Sequence, residues 1–167
     1  VSIIRSYFTP PDAKRPSHYR EAWWDEEAGE LVVHHGQLGH IGTTEVETVR
    51  NQHEADTLLA SFAEQNSADG YLDIAEFQQE RLVISIRYKS PKPTMVEETN
   101  AEKFAGQFTA LLAWRGLGAV DKWQSLLNDG EFQFEVSTVH RNKAARFASE
   151  ALKYTDFRAD RMHIGRI

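Results

Sequence analysis

Apolar and polar positions alternate through much of the first fifty residues and then take up a helical period. SIIRSYF (2–8) is β-branched and aromatic, which predicts a strand; the three prolines of TPPDAKRPS (9–17) cannot continue it as a central strand. HYREAWW (18–24) and ELVVHH (30–35) flank DEEAG, whose glycine supplies a positive φ, so they predict a hairpin. TTEVETV (43–49) is a third run of strand type. NQHE (51–54) has capping-box spacing, with Asn51 accepting from a first-turn amide and Glu54 reaching back. Ala55, Leu58, Leu59 and Phe62 then form one apolar stripe. The helix they predict covers one face of a small antiparallel sheet and stops at NSADGY (66–71), where Gly70 ends it.

A second unit begins near Glu80. RLVISIRY (81–88) places Leu82, Ile84, Ile86 and Tyr88 on one face of a strand and Val83, Ser85 and Arg87 on the other. KSPKPTMVEE reads as a loop by its two prolines, and TNAE (99–102) as the capping box of a helix. The apolar face of that helix is Ala101, Phe104, Ala105, Phe108, Leu111 and Leu112, up to Trp114. Residues 119–127 fit strand or helix; the NDGE turn and the alternating FQFEVST (132–138), with Phe132, Phe134 and Val136 inward, favour a strand. HRNKAARFASEALKY (140–154) predicts a helix with Ala144, Ala148, Ala151 and Leu152 inward, and RMHIGRI a last strand. The predicted class is α+β: residues 1–78 as a small antiparallel sheet with one packed helix, residues 79–167 as a ferredoxin-like βαββαβ sandwich.

Composition narrows the chemistry. With 41% hydrophobic and 26% charged residues, the 167-residue chain has an ordinary globular make-up. The absence of cysteine removes disulfides, thiolate nucleophiles and Cys-ligated metals. No apolar run approaches the roughly 20 residues of a bilayer span, and VSIIRSYF lacks signal-peptide order, so a cytoplasmic protein without a membrane partner is expected. Net charge is −6, unevenly placed: residues 1–78 hold 5 Lys/Arg against 14 Asp/Glu, a net of −9, and the remainder carries +3. An acidic segment repels phosphate backbones unless its cations share a face, and four of its five, Arg5, Lys14, Arg15 and Arg20, fall within sixteen residues.

VVHHGQLGHIG (32–42) is the stretch closest to chemistry. On a strand His34 and His35 point to opposite faces and cannot chelate together, and no H-x-H or HExxH spacing is present, so no metal is expected. The G-x-x-G-x-x-G spacing precedes a strand, not the helix whose N-terminus a phosphate loop requires, so no nucleotide cofactor is expected. The acidic cluster Asp25, Glu26 and Glu27 sits in a turn, and no G-x-S-x-G elbow occurs. Arg141, Lys143, Arg146 and Lys153 on the last helix, with Arg158, Arg161 and Arg166 after it, read as a solvated face. Trp23 and Trp24, being adjacent, face opposite sides of their strand.

The succession of strand, polar loop, HYREAWW, turn, LVVHHGQLGHIG, strand, NQHEAD helix and SADGY resembles the WGR domain, a β-rich module of poly(ADP-ribose) polymerases and many bacterial proteins. That family's signature is Trp-Gly-Arg, an aliphatic residue, then Gly-x-x-Gly. HGQLGHIG matches it at Gly36, Leu38, Gly39 and Gly42, with His35 in place of the Trp and Gln37 in place of the Arg. The resemblance covers about residues 1–75. It implies contacts with nucleic-acid ends and neighbouring domains, through positions that have lost an indole platform and a bidentate donor here.

The expected function is therefore a non-enzymatic interaction module without cofactor, its partner a protein or, less favoured by the acidic first domain, a nucleic acid. The binding residues expected are His35, Gln37, His40, Lys14, Arg15 and Arg20. Two other readings are an acidic regulator that neutralises a basic effector, and a small-ligand protein or enzyme with a pocket at the junction of the domains.

Overall fold

The computed structural model describes residues 3–165. The chain forms two compact units, Val1–Gln78 and Gln79–Ile167. In the first, strands β1 (Ile3–Phe8), β2 (His18–Asp25), β3 (Glu30–Gln37) and β4 (Thr43–Thr48) precede helix α1 (Gln52–Ala68). A two-residue strand, β5 (Leu72–Asp73), follows, too short to leave a pattern in the sequence. The antiparallel sheet has the order β4-β3-β2-β1-β5. Ser2, the expected start of the first strand, lies outside the described residues.

The β2–β3 hairpin turns where DEEAG predicts it. Gly29 takes φ +65°, and the Asp25 carboxylate accepts from the Ala28 amide at 3.1 Å. Asn51 caps α1 by accepting from the Glu54 amide at 2.9 Å. The Glu54 carboxylate returns not to the cap but one residue before it, to the Arg50 amide at 3.0 Å. Leu31, Val49 and Ala55 form a buried cluster with Trp24, Val33, Leu58 and Leu59 packed against it, so the helical stripe covers β2 and β3. β4 lies beyond this cover, and all six of its residues are exposed.

The second unit runs β6 (Glu80–Arg87), α2 (Met95–Ala113), β7 (Gly118–Leu126), β8 (Glu131–Thr138), α3 (Arg141–Leu152) and β9 (Met162–Gly165). Its sheet has the order β7-β8-β6-β9 with every neighbour antiparallel, the arrangement of a ferredoxin-like βαββαβ sandwich. Phe132, Phe134 and Val136 of β8, with Leu82, Ile84 and Ile86 of β6, are at most 1% exposed. Phe104 and Phe108 of α2 are buried, and Phe104 meets Phe134 edge-on, centroids 4.7 Å apart. Arg166 and Ile167, placed by the sequence in the last strand, lie outside the described residues.

One boundary differs from expectation. α2 starts at Met95, not after Thr99, because Thr94-x-x-Glu97 is a capping box as well, with both reciprocal bonds made. The buried Glu97 carboxylate also accepts from the Lys89 amide at 3.1 Å, tying the proline loop to the helix start. Thr99 is a mid-helix residue whose hydroxyl donates to the Met95 carbonyl at 3.0 Å.

Candidate functional site

Strand alternation and hairpin register determine what surrounds the histidine-glycine stretch. In the β2–β3 pairing Tyr19 stands opposite Gly36, Arg20 opposite His35, and Glu21 opposite His34. Even-numbered residues of β2 face α1, and odd-numbered ones face away. The two adjacent histidines are thereby separated onto opposite faces of the sheet.

On the face away from α1, His34 is fully buried and Glu21 nearly so. His34 Nδ1 lies 2.7 Å from Glu21 Oε1, and the second carboxylate oxygen accepts from Arg5 Nε at 2.9 Å. His34 Nε2 hydrogen-bonds the Ile41 carbonyl. The buried Tyr19 hydroxyl donates to the His40 carbonyl at 2.6 Å and lies 2.9 Å from that of Ile41. Burial also pushes the neighbouring Tyr7 phenol well above its usual range. Both imidazole nitrogens thus have partners within the unit, Nδ1 at Glu21 and Nε2 at the Ile41 carbonyl, with the Tyr19 hydroxyl 3.3 Å from Nε2. Arg5, Glu21, His34 and Tyr19 form a relay that ends on the backbone carbonyls of His40 and Ile41.

What it holds is the glycine loop. His40 N donates to Gln37 O at 3.0 Å across a turn in which Gly39 takes φ +89°, the geometry of a type II turn. Leu38 drives its side chain into the core while its amide bonds Ser17 O at 2.8 Å. Gly36 and Gly42 close the loop by backbone contact: a Cβ on Gly36 would lie 2.8 Å from Gly42 Cα, and one on Gly42 would lie 2.2 Å from His35 O. The three glycines are required by close approach and positive φ.

Of the expected binding residues, His35 and Arg20 are brought together. His35 and Arg20, cross-strand partners on the α1 face, line a cleft of about 270 Å³ with Val33, Phe62, Gln65, Asn66 and Asp69. Arg20 is already engaged there. It donates to Asp69 at 2.6 Å and to Asn66 at 3.3 Å, and its guanidinium lies 4.0 Å from the centre of the Tyr71 ring. Arg20 and Gln65 hold the Asp69 carboxyl below the usual carboxylate range. Gln37 and His40 are exposed at the turn; Lys14 is exposed and Arg15 half-buried in the proline loop. Trp24 packs in the α1 core and Trp23 is half-buried on the other face.

The relay was legible only in part. Glu21 opposite His34 follows once DEEAG fixes the register, but the burial of that face and the return of Ile41 over it do not. Among the described residues no group of three or more His, Asp or Glu side chains is arranged to hold a metal ion, and no helix is long and apolar enough to cross a membrane. No family model, no curated protein and no solved structure matches this chain.

Proposed function

We propose that the first unit is a non-enzymatic, WGR-like interaction module whose β4 edge takes an extended basic segment of a protein partner by strand addition. The observation that carries this is β4 itself, a terminal strand paired only with β3 and exposed at all six residues. Val49 N donates to Gly29 O at 2.9 Å, one step beyond the Glu30–Thr48 pair of the same register. Antiparallel pairs alternate between bonded and unbonded, so the backbone groups of Thr44, Val46 and Thr48 point away from β3. They are free to template another strand.

Charge selects the occupant. Glu45 and Glu47 line one face of β4, and Val46, 54% exposed, stands on the other. A segment alternating cationic and aliphatic side chains complements both faces. A second copy does not: antiparallel pairing of two β4 strands about Val46 sets Glu45 against Glu47. Nucleic acid is the weaker partner, because Arg5 and Arg20 are engaged by Glu21 and Asp69 in a unit of net charge −9. The type II turn and the glycine contacts suit the spacing of the WGR signature, which supports the likeness of this unit to that family.

Titrating isotope-labelled protein with a synthetic peptide of alternating Lys and Val tests the reading by amide shifts. Saturable shifts across 43–48 are expected. Val46→Pro removes an outward amide without touching the β3 ladder, and it should abolish them while the remaining spectrum stays folded. No saturable shift on β4 at low salt, or equal binding by Val46→Pro, would overturn the proposal.

A further inference from the structure

The second unit gathers cations that are distant in sequence. Arg87 ends β6 and Lys89 lies two residues on, while Arg158 caps and Arg161 ends a single 3₁₀ turn, Ala159–Arg161, before β9. Two adjoining depressions of about 280 and 240 Å³ share Arg158 and Arg161 as lining residues. The smaller adds Arg87 and Asp160; the larger adds Lys89, Val96 and Phe157.

The acids and the bases of this cleft are unequally engaged. Glu97 spends one carboxylate oxygen on the Thr94 amide and the other on the Lys89 amide, each at 3.1 Å. Asp156 is turned toward Asn100, whose side-chain amide reaches its carboxylate at 3.4 Å. By contrast, Arg87 donates to the backbone carbonyl of Asp160 at 3.2 Å, and Arg161 donates to that of Arg87 at 3.4 Å. These two bonds fix both guanidiniums in place and use one nitrogen of each. Among the described residues neither has a carboxylate partner. Among the described residues the Arg158 side chain has one ionic contact, exposed, with Asp160 at 3.4 Å.

We infer that this cleft is a binding site for a small phosphate monoester carrying an apolar or aromatic group. Pre-positioned guanidiniums with spare N–H donors match the oxygens of a phosphate group, and Arg presents them as a planar fork. Phe157 and Val96 in the larger depression supply the apolar surface for the rest of the molecule. The neighbouring Asp156, Asp160 and Glu97 work against a long polyanion, which would run past the arginines into them. The size of the depressions likewise suits a small molecule.

Phenyl phosphate is the probe, titrated into the full chain with backbone and arginine side-chain resonances followed by NMR. Saturable shifts at 87–89 and 156–161 are expected, together with weaker binding of inorganic phosphate and none of phenol. Arg158→Gln, at an exposed side chain with no role in the Arg87 and Arg161 bonds, should weaken phenyl phosphate about tenfold. Arg161→Lys keeps the charge but loses the fork and should also weaken it. Arg146→Gln, on the exposed surface of α3, should leave binding unchanged. The inference is overturned if phenyl phosphate shows no saturable binding, if Arg158→Gln and Arg161→Lys both bind as the parent does, or if Arg146→Gln is as damaging as they are. Tighter binding of a phosphotyrosyl peptide than of phenyl phosphate would overturn the small-molecule assignment.

Discussion

At the middle of the first sheet, Tyr19 and Glu21 of β2 lie beside His34 of β3; in the second sheet the central pair is Ile84 of β6 and Phe134 of β8. Both sets are buried, yet they act differently. The aromatic and aliphatic set is non-directional, gaining stability from area removed from water and from close packing of Phe104 on Phe134. The polar set is directional. A network of Arg5, Glu21, His34 and Tyr19 is stable only when every donor and acceptor is met, and the carbonyls of His40 and Ile41 complete it. The first unit thus devotes part of its interior to fixing a loop, whereas the second uses its interior for stability.

The largest test of this contrast is Phe134→Ala, expected to cost the second unit about 3–5 kcal/mol through lost burial and the cavity left behind. Urea unfolding measures it. A cost well under 1 kcal/mol would mean that this core is not close-packed. Next comes Glu21→Ala, which leaves His34 Nδ1 and Arg5 without their carboxylate and should cost the first unit about 2–3 kcal/mol. Its distinguishing readout is hydrogen exchange: amides of 36–42 should lose protection before those of β1. Uniform loss across the sheet would show that the relay serves the whole unit rather than the loop.

The smallest effect concerns Asp69, on the surface of the same unit. Its carboxyl is held low by Arg20 and then by Gln65, so its folded pKa lies below its unfolded one. The stabilising contribution is present above the unfolded value and disappears as pH falls through the folded one. Carboxyl NMR titration should place Asp69 below an ordinary aspartate, and Arg20→Gln should return it toward the ordinary value. An Asp69 that titrates normally in the parent protein would remove Arg20 from the list of engaged cations and reopen it as a binding residue.

Several elements could be read directly because one local rule decided each. The alternation in FQFEVST gave an inward face of Phe132, Phe134 and Val136, all fully buried. The glycine of DEEAG made the hairpin turn, and the polar face opposite Ala144, Ala148 and Ala151 made α3 amphipathic. The start of α2 differs from the expected one because two capping boxes compete within nine residues, and the choice falls to Glu97, whose carboxylate a second amide, that of Lys89, also reaches. β5 went unseen because two residues show no period.

The sequence by itself determined the α+β class, the succession of nearly every element and the separation of His34 from His35, since periods of 2.0 and 3.6 residues are local properties of the backbone. Only the tertiary structure decided that His34 is sealed beneath the glycine loop while His35 and Arg20 meet in a cleft. It alone also set Arg87 beside Arg161, residues 74 positions apart in the chain. Such meetings depend on register, strand order and the path of loops, which are fixed by how whole faces pack and not by the residues on either side.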